Sequence, residues 1–474
     1  MTHSRNIFII GYFIILLLLA PINLLSFDTY YYWEWSRHLA LSYYDGSPMI
    51  AYFIKLSTIL FGDTLFALSL VGIVVAALTS VIIYKSARFF LTKEAAFTAM
   101  SLWLFSPLVT IDLLKQTTYD TPLTLFWALT LYATMRFIKF NNVRSLYFIG
   151  TCIGLMMLSK YSGIVLILSL FIFLITSPYR YLFKTPHFYL ALLISMIIFS
   201  PVILWNYQHN WLSFIYQLTS HKLHDAGNPL ANCISSFFFI FIPSLNFMLL
   251  PPSLSWLKRG DSSFYTDKVN HAQKDVLVKL CLIISTVFIC FYLFAATKAT
   301  IRGNWLAPYL ISSALLGGFC FENCHYRKSI IFLILLYGFT SLGILLNNTV
   351  FFSLTTSKKL NYYRLIQAFN TSNPQLPKTV ITSGWLEARM LFFLKNKRQV
   401  YTLNCGSAQN QYALWSSNIA INIKDKRLLE TLYIDKVNRI ECVEKYFDTC
   451  VRIHSPTELN QEETLYAYKC TNNK

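Results

Sequence analysis

Ten ionisable residues sit at the ends of long apolar stretches: Asp28, Glu34, Asp45, Lys55, Asp112, Lys115, Asp120, Lys160, Lys298 and Arg302. Carboxylates and cations sharing one cavity suit a phosphate-linked substrate. The cations hold the phosphate, and a carboxylate is left over to move a proton. Lys298 and Arg302 stand just before Asn304-Trp305, in a loop where positive charge opposes the orientation bias derived below. Snorkelling to headgroups explains one such cation easily, and three (with Lys160) less easily. His221-x-x-His224-Asp225 is the one metal-like cluster. Histidines at i and i+3 can share Zn²⁺, but with no third ligand identified, ordinary surface histidines are the simpler reading. A divalent cation thus stays open as a cofactor and is not required. Tyr30, Tyr31, Tyr32, Trp33, Trp35, Tyr43 and Tyr44 form an interfacial belt or a sugar-stacking wall, with anchoring the plainer role for most.

The elements that must position these groups are apolar helices. Of the 474 residues, 55% are hydrophobic, 17% aromatic and 13% charged, and the mean hydropathy is +0.47. Soluble domains carry about 25% charged residues, so a cytosolic enzyme, a disordered scaffold and a secreted disulfide knot are excluded. The formal charge of +18 fits helix orientation and anionic lipid rather than nucleic acid.

Eleven apolar stretches are candidate membrane spans: 7–25, 65–84, 95–111, 121–138, 146–159, 163–177, 187–205, 234–250, 276–297, 305–321 and 329–347. The first is too long, and too poor in small residues after it, for a cleaved signal peptide. Residues 49–62 contain Lys55 and are too short to cross, so an interfacial helix is expected there. With the N-terminus inside, cytoplasmic segments hold sixteen Lys/Arg and the opposite loops seven. That bias obeys the positive-inside rule. It puts the ten candidate residues at the outer ends of the helices and the C-terminus outside.

Composition changes near residue 350. Residues 355–474 carry 17 basic and 10 acidic side chains, with strand-like runs TVITSG, QVYTLNC, IAINI, RIECVEKY and CVRIHS, and a helix-like WLEARMLFFLKNK. Residues 351–474 are therefore expected to form a small α/β domain outside the membrane, after a membrane domain spanning 1–350. Of its cysteines Cys405, Cys442, Cys450 and Cys470, the second and third flank a turn and could pair across a hairpin; unpaired thiols fit the spacing equally well.

FDTYYYWEWSRHLALSYYDGSPMIAYFI resembles the Asp-Glu-x-x-Tyr-Trp … Tyr-Tyr-Asp-x-x-Pro-Pro stretch of the GT-C membrane glycosyltransferases. The bacterial branch similar to aminoarabinose lipid A transferases and protein O-mannosyltransferases matches best. Further matches follow in order: TTYDTPLTLFWALTLY, GLMMLSKYSGIVLIL, PVILWNYQHNWLSFIYQ, KATIRGNWLAPYL and NQYALW. The resemblance implies a GT-C-like polytopic α-helical membrane protein of the bacterial inner membrane, with a periplasmic C-terminal domain. It implies inverting transfer of a sugar from a polyprenyl-phosphate donor to lipid A, another envelope glycan or a protein at the outer face. Asp28 matches the acidic position taken as general base, and Asp120 the second acidic position. Lys160 matches a lysine of the family's Thr/Ser-Lys motif. Lys298, Arg302, Lys160 and Lys55 would hold the donor phosphate, and Tyr32, Tyr44 and Asp45 would line the acceptor and sugar site. Two positions depart from the pattern: Thr29 stands where the family often has Glu, and Gly46-Ser47-Pro48 where some relatives have Glu-Lys-Pro.

For Asp28 the competing role is to cap a helix starting near Tyr30. For Asp120, helix initiation before Pro122 is compatible with a site role. A flippase for lipid-linked sugars would use the same basic cavity without making a bond, but it would favour charges at helix centres, which are scarce here. A receptor or assembly protein would not need eleven spans. The sixteen-to-seven bias carries a test. A reporter active only outside the cytoplasm should be active when fused after Asn348 and silent after Arg144; the reverse would overturn the orientation.

Overall fold

The computed structural model describes residues 2–23, 25–219, 234, 268–297, 303–323 and 327–347. In the C-terminal part it describes 377, 379–382, 399–403, 410–412, 414–415, 430–435, 438–453 and 466–472. Helices occupy ten of the eleven predicted spans, and the stretch 234–250 lies outside the described residues apart from Ile234. They are α1 (Thr2–Leu19), α4 (Leu65–Ala87), α5 (Lys93–Leu104), α6 (Asp120–Phe140), α7 (Val143–Met157), α8 (Ile164–Ile175), α9 (Pro186–Gln208), α11 (Lys268–Ala296), α12 (Tyr309–Asn323) and α13 (Arg327–Asn347). Between them lie the shorter α2 (Phe27–Arg37), α3 (Met49–Phe61) and α10 (Leu212–Thr219). The chain is a polytopic helical membrane protein. Among the described residues four helices are long and apolar enough to cross alone, and two bent pairs bring the number to six.

Both bends have a proline at the break. α5 stops at Leu104, and the chain resumes at Pro107 after a 49° bend. Beyond α8, Pro178 opens a short helix to Lys184 at 104°. Proline supplies no N–H to continue the previous helix but suits the first turn of the next. After Pro107 the backbone forms a π-helical turn, Thr110–Leu114, which carries Asp112. Gly72 of α4 packs directly on this turn. A Cβ there would lie 1.7 Å from the Leu113 carbonyl oxygen, so only glycine admits the approach.

A helix does lie over the expected 49–62 stretch: α3 buries Met49, Ile50, Ala51, Ile54 and Ser57. α2 buries Tyr30, Tyr31, Tyr32, Trp33 and Trp35. Trp35 stacks on Tyr43 with centroids 4.1 Å apart, and Trp33 Nε1 donates to Asp63 at 2.7 Å. The aromatic run is therefore packed in a core, where each ring contributes on the order of 1.5–3 kcal/mol by burial. That corrects the plainer expectation of lipid-facing anchors.

The C-terminal strands form one mixed sheet in the order β2-β1-β3-β5-β4. The strands are β1 (Thr379–Thr382), β2 (Gln399–Thr402), β3 (Glu430–Asp435), β4 (Thr449–Arg452) and β5 (Tyr466–Thr471). β1 lies parallel to β2 and β3, while β5 is antiparallel to β3 and β4. Three predicted runs are strands here. RIECVEKY instead makes a helical turn, Ile440–Val443, because Ile440 and Val443 share a face at i, i+3 and both pack on the sheet core. IAINI and WLEARMLFFLKNK lie outside the described residues. Neither alternative left open for Cys442 and Cys450, a pair between them or free thiols, holds. Cys450 is bonded to Cys470, its direct partner in the β4–β5 register, and Cys442 is bonded elsewhere.

The close approach at Gly72 gives a stability test. Gly72→Val should drive α4 off the π-helical turn at a cost of about 3 kcal/mol, visible as a lower melting temperature in detergent. Gly338→Val, with open space around its Cα, should leave that temperature unchanged.

Candidate active site

Two backbone-anchoring bonds bring the start of α2 against the loop before α6, and a third ties that loop to α4. Asn23 Nδ2 donates to the Leu114 carbonyl at 2.8 Å. The Thr117 N–H donates to Thr29 Oγ1 at 2.9 Å, and Thr117 Oγ1 donates to the Leu68 carbonyl at 2.9 Å. Thr29, the departure from the family pattern, thus ties α2 to the loop that carries Tyr119 and Asp120. α2 begins at Phe27 with Ser26 as its N-cap, so Asp28 lies inside the first turn and is not the cap. Its carboxylate faces the positive end of the helix dipole. It is close enough to Tyr32, Tyr119 and Asp45 to act on them electrostatically.

Asp120 is the first residue of α6 and is fully buried. Its N–H donates to Thr118 Oγ1 at 3.3 Å, which fits the expected helix start. Lys160, between α7 and α8, donates to Asp120 Oδ1 at 2.5 Å. The ammonium lies 4.4 Å from the Tyr119 ring centroid and 5.5 Å from that of Trp305, a setting that favours cations. Its side chain keeps 15% exposure, enough to meet a ligand.

Asp112 adds a second carboxylate near this pair. It is fully buried, neither of its oxygens has a hydrogen-bond partner among the described residues, and it acts electrostatically with both Asp120 and Lys160. The sequence marks it only as an acid near a helix end, and no local spacing signals the π-helical turn that buries it there. Deeply buried acids without a partner are rare and cluster at functional sites.

The third part is the loop between α2 and α3. Tyr43 and Gly46 exchange backbone hydrogen bonds, Ser47 Oγ donates to the Met157 carbonyl at 2.9 Å, and the Met49 N–H donates to the Leu158 carbonyl at 3.1 Å. These contacts lay the loop beside Lys160. Asp45 accepts from the Tyr31 hydroxyl, and Gln217 of α10 donates to its carbonyl. Burial pushes the Asp45 carboxyl up to about 7, although hydrogen bonds from Tyr31, Tyr216 and the Gln411 backbone pull it down. Tyr32 sits edge-on to Tyr119, and Tyr44 edge-on to Tyr216. Burial raises both hydroxyls, so they stay protonated donors.

A segment from the C-terminal part closes this side. The Gln411 N–H donates to the Tyr31 hydroxyl at 2.9 Å, and Gln411 Oε1 accepts from the Tyr44 N–H at 2.6 Å. Tyr412 packs on Tyr31, and Trp415 on His38. The structure thus brings Asp28, Tyr32, Tyr44, Asp45, Asp120 and Lys160 to one region. Lys55 lies half-buried in α3 and enters no ion pair among the described residues. Lys298, Arg302, His221, His224 and Asp225 lie outside them. No group of three His, Cys, Asp or Glu that could hold a metal occurs among the described residues.

A helical membrane bundle with acids and a lysine gathered at helix ends is similar to the GT-C membrane glycosyltransferases. Residues 45–205 match the family model described as dolichyl-phosphate-mannose-protein mannosyltransferase. Lipid A galacturonosyltransferase RgtD of Rhizobium johnstonii is 26% identical over 184 residues. That alignment takes in 39% of this chain and 38% of RgtD, so the chain spans well under half the length of this curated relative. Two crystal structures of ArnT from Cupriavidus metallidurans share the fold over 99% of this chain and 98% of theirs. The apo structure gives a TM-score of 0.70 at 11% identity, and the one bound to undecaprenyl phosphate 0.69 at 12%.

Asp45 makes this region pH-sensitive. Between its ordinary value of 3.8 and about 7, the folded chain keeps a proton that the unfolded chain releases. Stability therefore falls as pH rises through that window, by at most about 4 kcal/mol. Thermal unfolding at pH 5 and pH 8 should show the wild type losing stability at the higher pH. Asp45→Asn should flatten the difference.

Proposed function

We propose that this protein is an inverting glycosyltransferase that moves a sugar from a polyprenyl-phosphate donor to an acceptor hydroxyl at the outer face of the bacterial inner membrane. The acceptor class is lipid A or another envelope glycan, or a protein. The observation that carries the reading is that Asp28 and the Asp120–Lys160 pair both border Tyr119, Asp28 by its charge and Lys160 at 4.4 Å from the ring, at one end of an ArnT-like bundle. The match of residues 45–205 to a lipid-linked mannosyltransferase family supports the same chemistry. In this reading residues 1–350 form the membrane domain, the N-terminus is cytoplasmic, and residues 351–474 form a periplasmic domain whose 410–415 segment covers the site.

Asp28 is the general base in this scheme. It takes the proton of the acceptor hydroxyl as that oxygen attacks the anomeric carbon, while the bond from that carbon to the phosphate oxygen breaks. The lipid phosphate leaves with the bonding electron pair. Lys160, held in place by Asp120, neutralises the charge growing on the phosphate, with Lys298, Arg302 and Lys55 as further phosphate ligands. Asp45, Tyr32 and Tyr44 orient the sugar and acceptor through hydrogen bonds and ring faces. No covalent intermediate is needed, so one carboxylate base suffices.

Asp28→Asn keeps the shape but cannot take a proton. It should lower transfer by about 10²–10⁴-fold while the protein still binds undecaprenyl phosphate. Transfer within a few-fold of wild type, measured with purified protein and a lipid-linked sugar donor, would move the base elsewhere.

A further inference from the structure

At the end of the bundle away from Lys160, a crevice of about 130 Å³ lies between α6, α7, α8 and α9. Ile138, Ile149, Ile153, Leu170 and Leu174 give it an apolar lining. Phe171, also in the lining, is 48% exposed, so the crevice reaches the outer surface of the helices. It lies roughly 15–20 Å along α8 from Lys160, at 1.5 Å per residue. A void lined this way stays dry, and hydrocarbon fits it.

The surroundings specify which hydrocarbon. Tyr179 and Leu182 line the crevice and share the short helix Pro178–Lys184 with Arg180 and Lys184. Arg180, Lys184 and nearby Arg144 are exposed, and none of them enters an ion pair among the described residues. The sequence holds no Asp or Glu from Thr121 to His224, so none of these four helices supplies a counter-charge past Asp120. Polar aromatic pairs mark the same level: Tyr147 with His187 at 2.8 Å, and Tyr181 with Asn141 at 2.8 Å. Such residues gather where hydrocarbon meets headgroups.

We propose that this end of the bundle binds one anionic glycerophospholipid, with an acyl chain in the crevice and its phosphodiester against Arg180 and Lys184. A zwitterionic lipid fills the crevice equally well but gains less from the cations. The site is separate from the proposed donor site and does not depend on the transferase reading.

The test uses the full chain in phosphatidylcholine nanodiscs containing spin-labelled phosphatidylglycerol or spin-labelled phosphatidylcholine. Each cation near a membrane surface contributes about five-fold in binding to anionic lipid. The wild type should therefore immobilise the phosphatidylglycerol label more than five-fold more strongly than the phosphatidylcholine label. Arg180→Ser with Lys184→Ser, both exposed positions, should abolish that preference while leaving the phosphatidylcholine signal. Leu174→Trp, which fills the crevice, should weaken both labels. Equal immobilisation of the two labels by the wild type would overturn the proposal, as would an unchanged preference in the double variant. Displacement of the phosphatidylglycerol label by equimolar undecaprenyl phosphate would also overturn it, by giving the crevice to a polyprenyl tail.

Discussion

The pair between Asp120 and Lys160 is the contact on which the rest of the site depends. It joins the first residue of α6 to the junction of α7 and α8, forty positions apart. A buried carboxylate without its cation costs about 3–5 kcal/mol, so neither helix end can drift without a large penalty. The Tyr119 and Trp305 rings flank the lysine and keep it from wandering into solvent. The position of Tyr119 fixes Tyr32, and through Tyr32 the aromatic face of α2 beside Asp28. The loop carrying Asp45 is anchored to carbonyls at Met157 and Leu158, only two or three residues before Lys160. One ion pair thus sets the spacing between acids that come from three separate parts of the chain.

Close backbone approaches hold this arrangement inside a bundle where helices have little hydrophobic reason to prefer one another. Gly72 admits the Leu113 carbonyl, Gly150 the Ala191 carbonyl, and Gly318 the Ala95 carbonyl. Each contact uses the smallest side chain to gain dispersion over a long interface. Gly72 also packs on the turn that carries the buried Asp112.

The membrane part was legible because span length and hydropathy are set by the bilayer, and ten of eleven predicted stretches coincide with described helices. Asp28, Asp120 and Lys160 each stand in a recognisable stretch, and the fold gathers all three around Tyr119. Asp112 was marked as an acid near a helix end, but its complete burial was not legible, because it comes from a π-helical turn packed on a glycine distant in sequence. In the C-terminal part, β3 escaped notice: ETLYID is framed by acids and reads as polar, yet Thr431 to Asp435 are all buried in the middle of the sheet. RIECVEKY misled in the other direction, its apolar residues serving one helical turn. The disulfide followed from register: Cys450 and Cys470 lie on neighbouring strands, twenty residues apart, which no turn spacing could reveal.

The bond between Gln411 and Tyr31 joins residues 380 positions apart. At about 5–20 residues per second of synthesis, Gln411 leaves the ribosome roughly 20–75 s after Tyr31. Throughout that interval the aromatic helix and Asp45 lack their cover. The candidate site therefore reaches its final form only after Gln411 is made, and a nascent protein truncated before residue 410 lacks the contacts that cover Tyr31 and Tyr44.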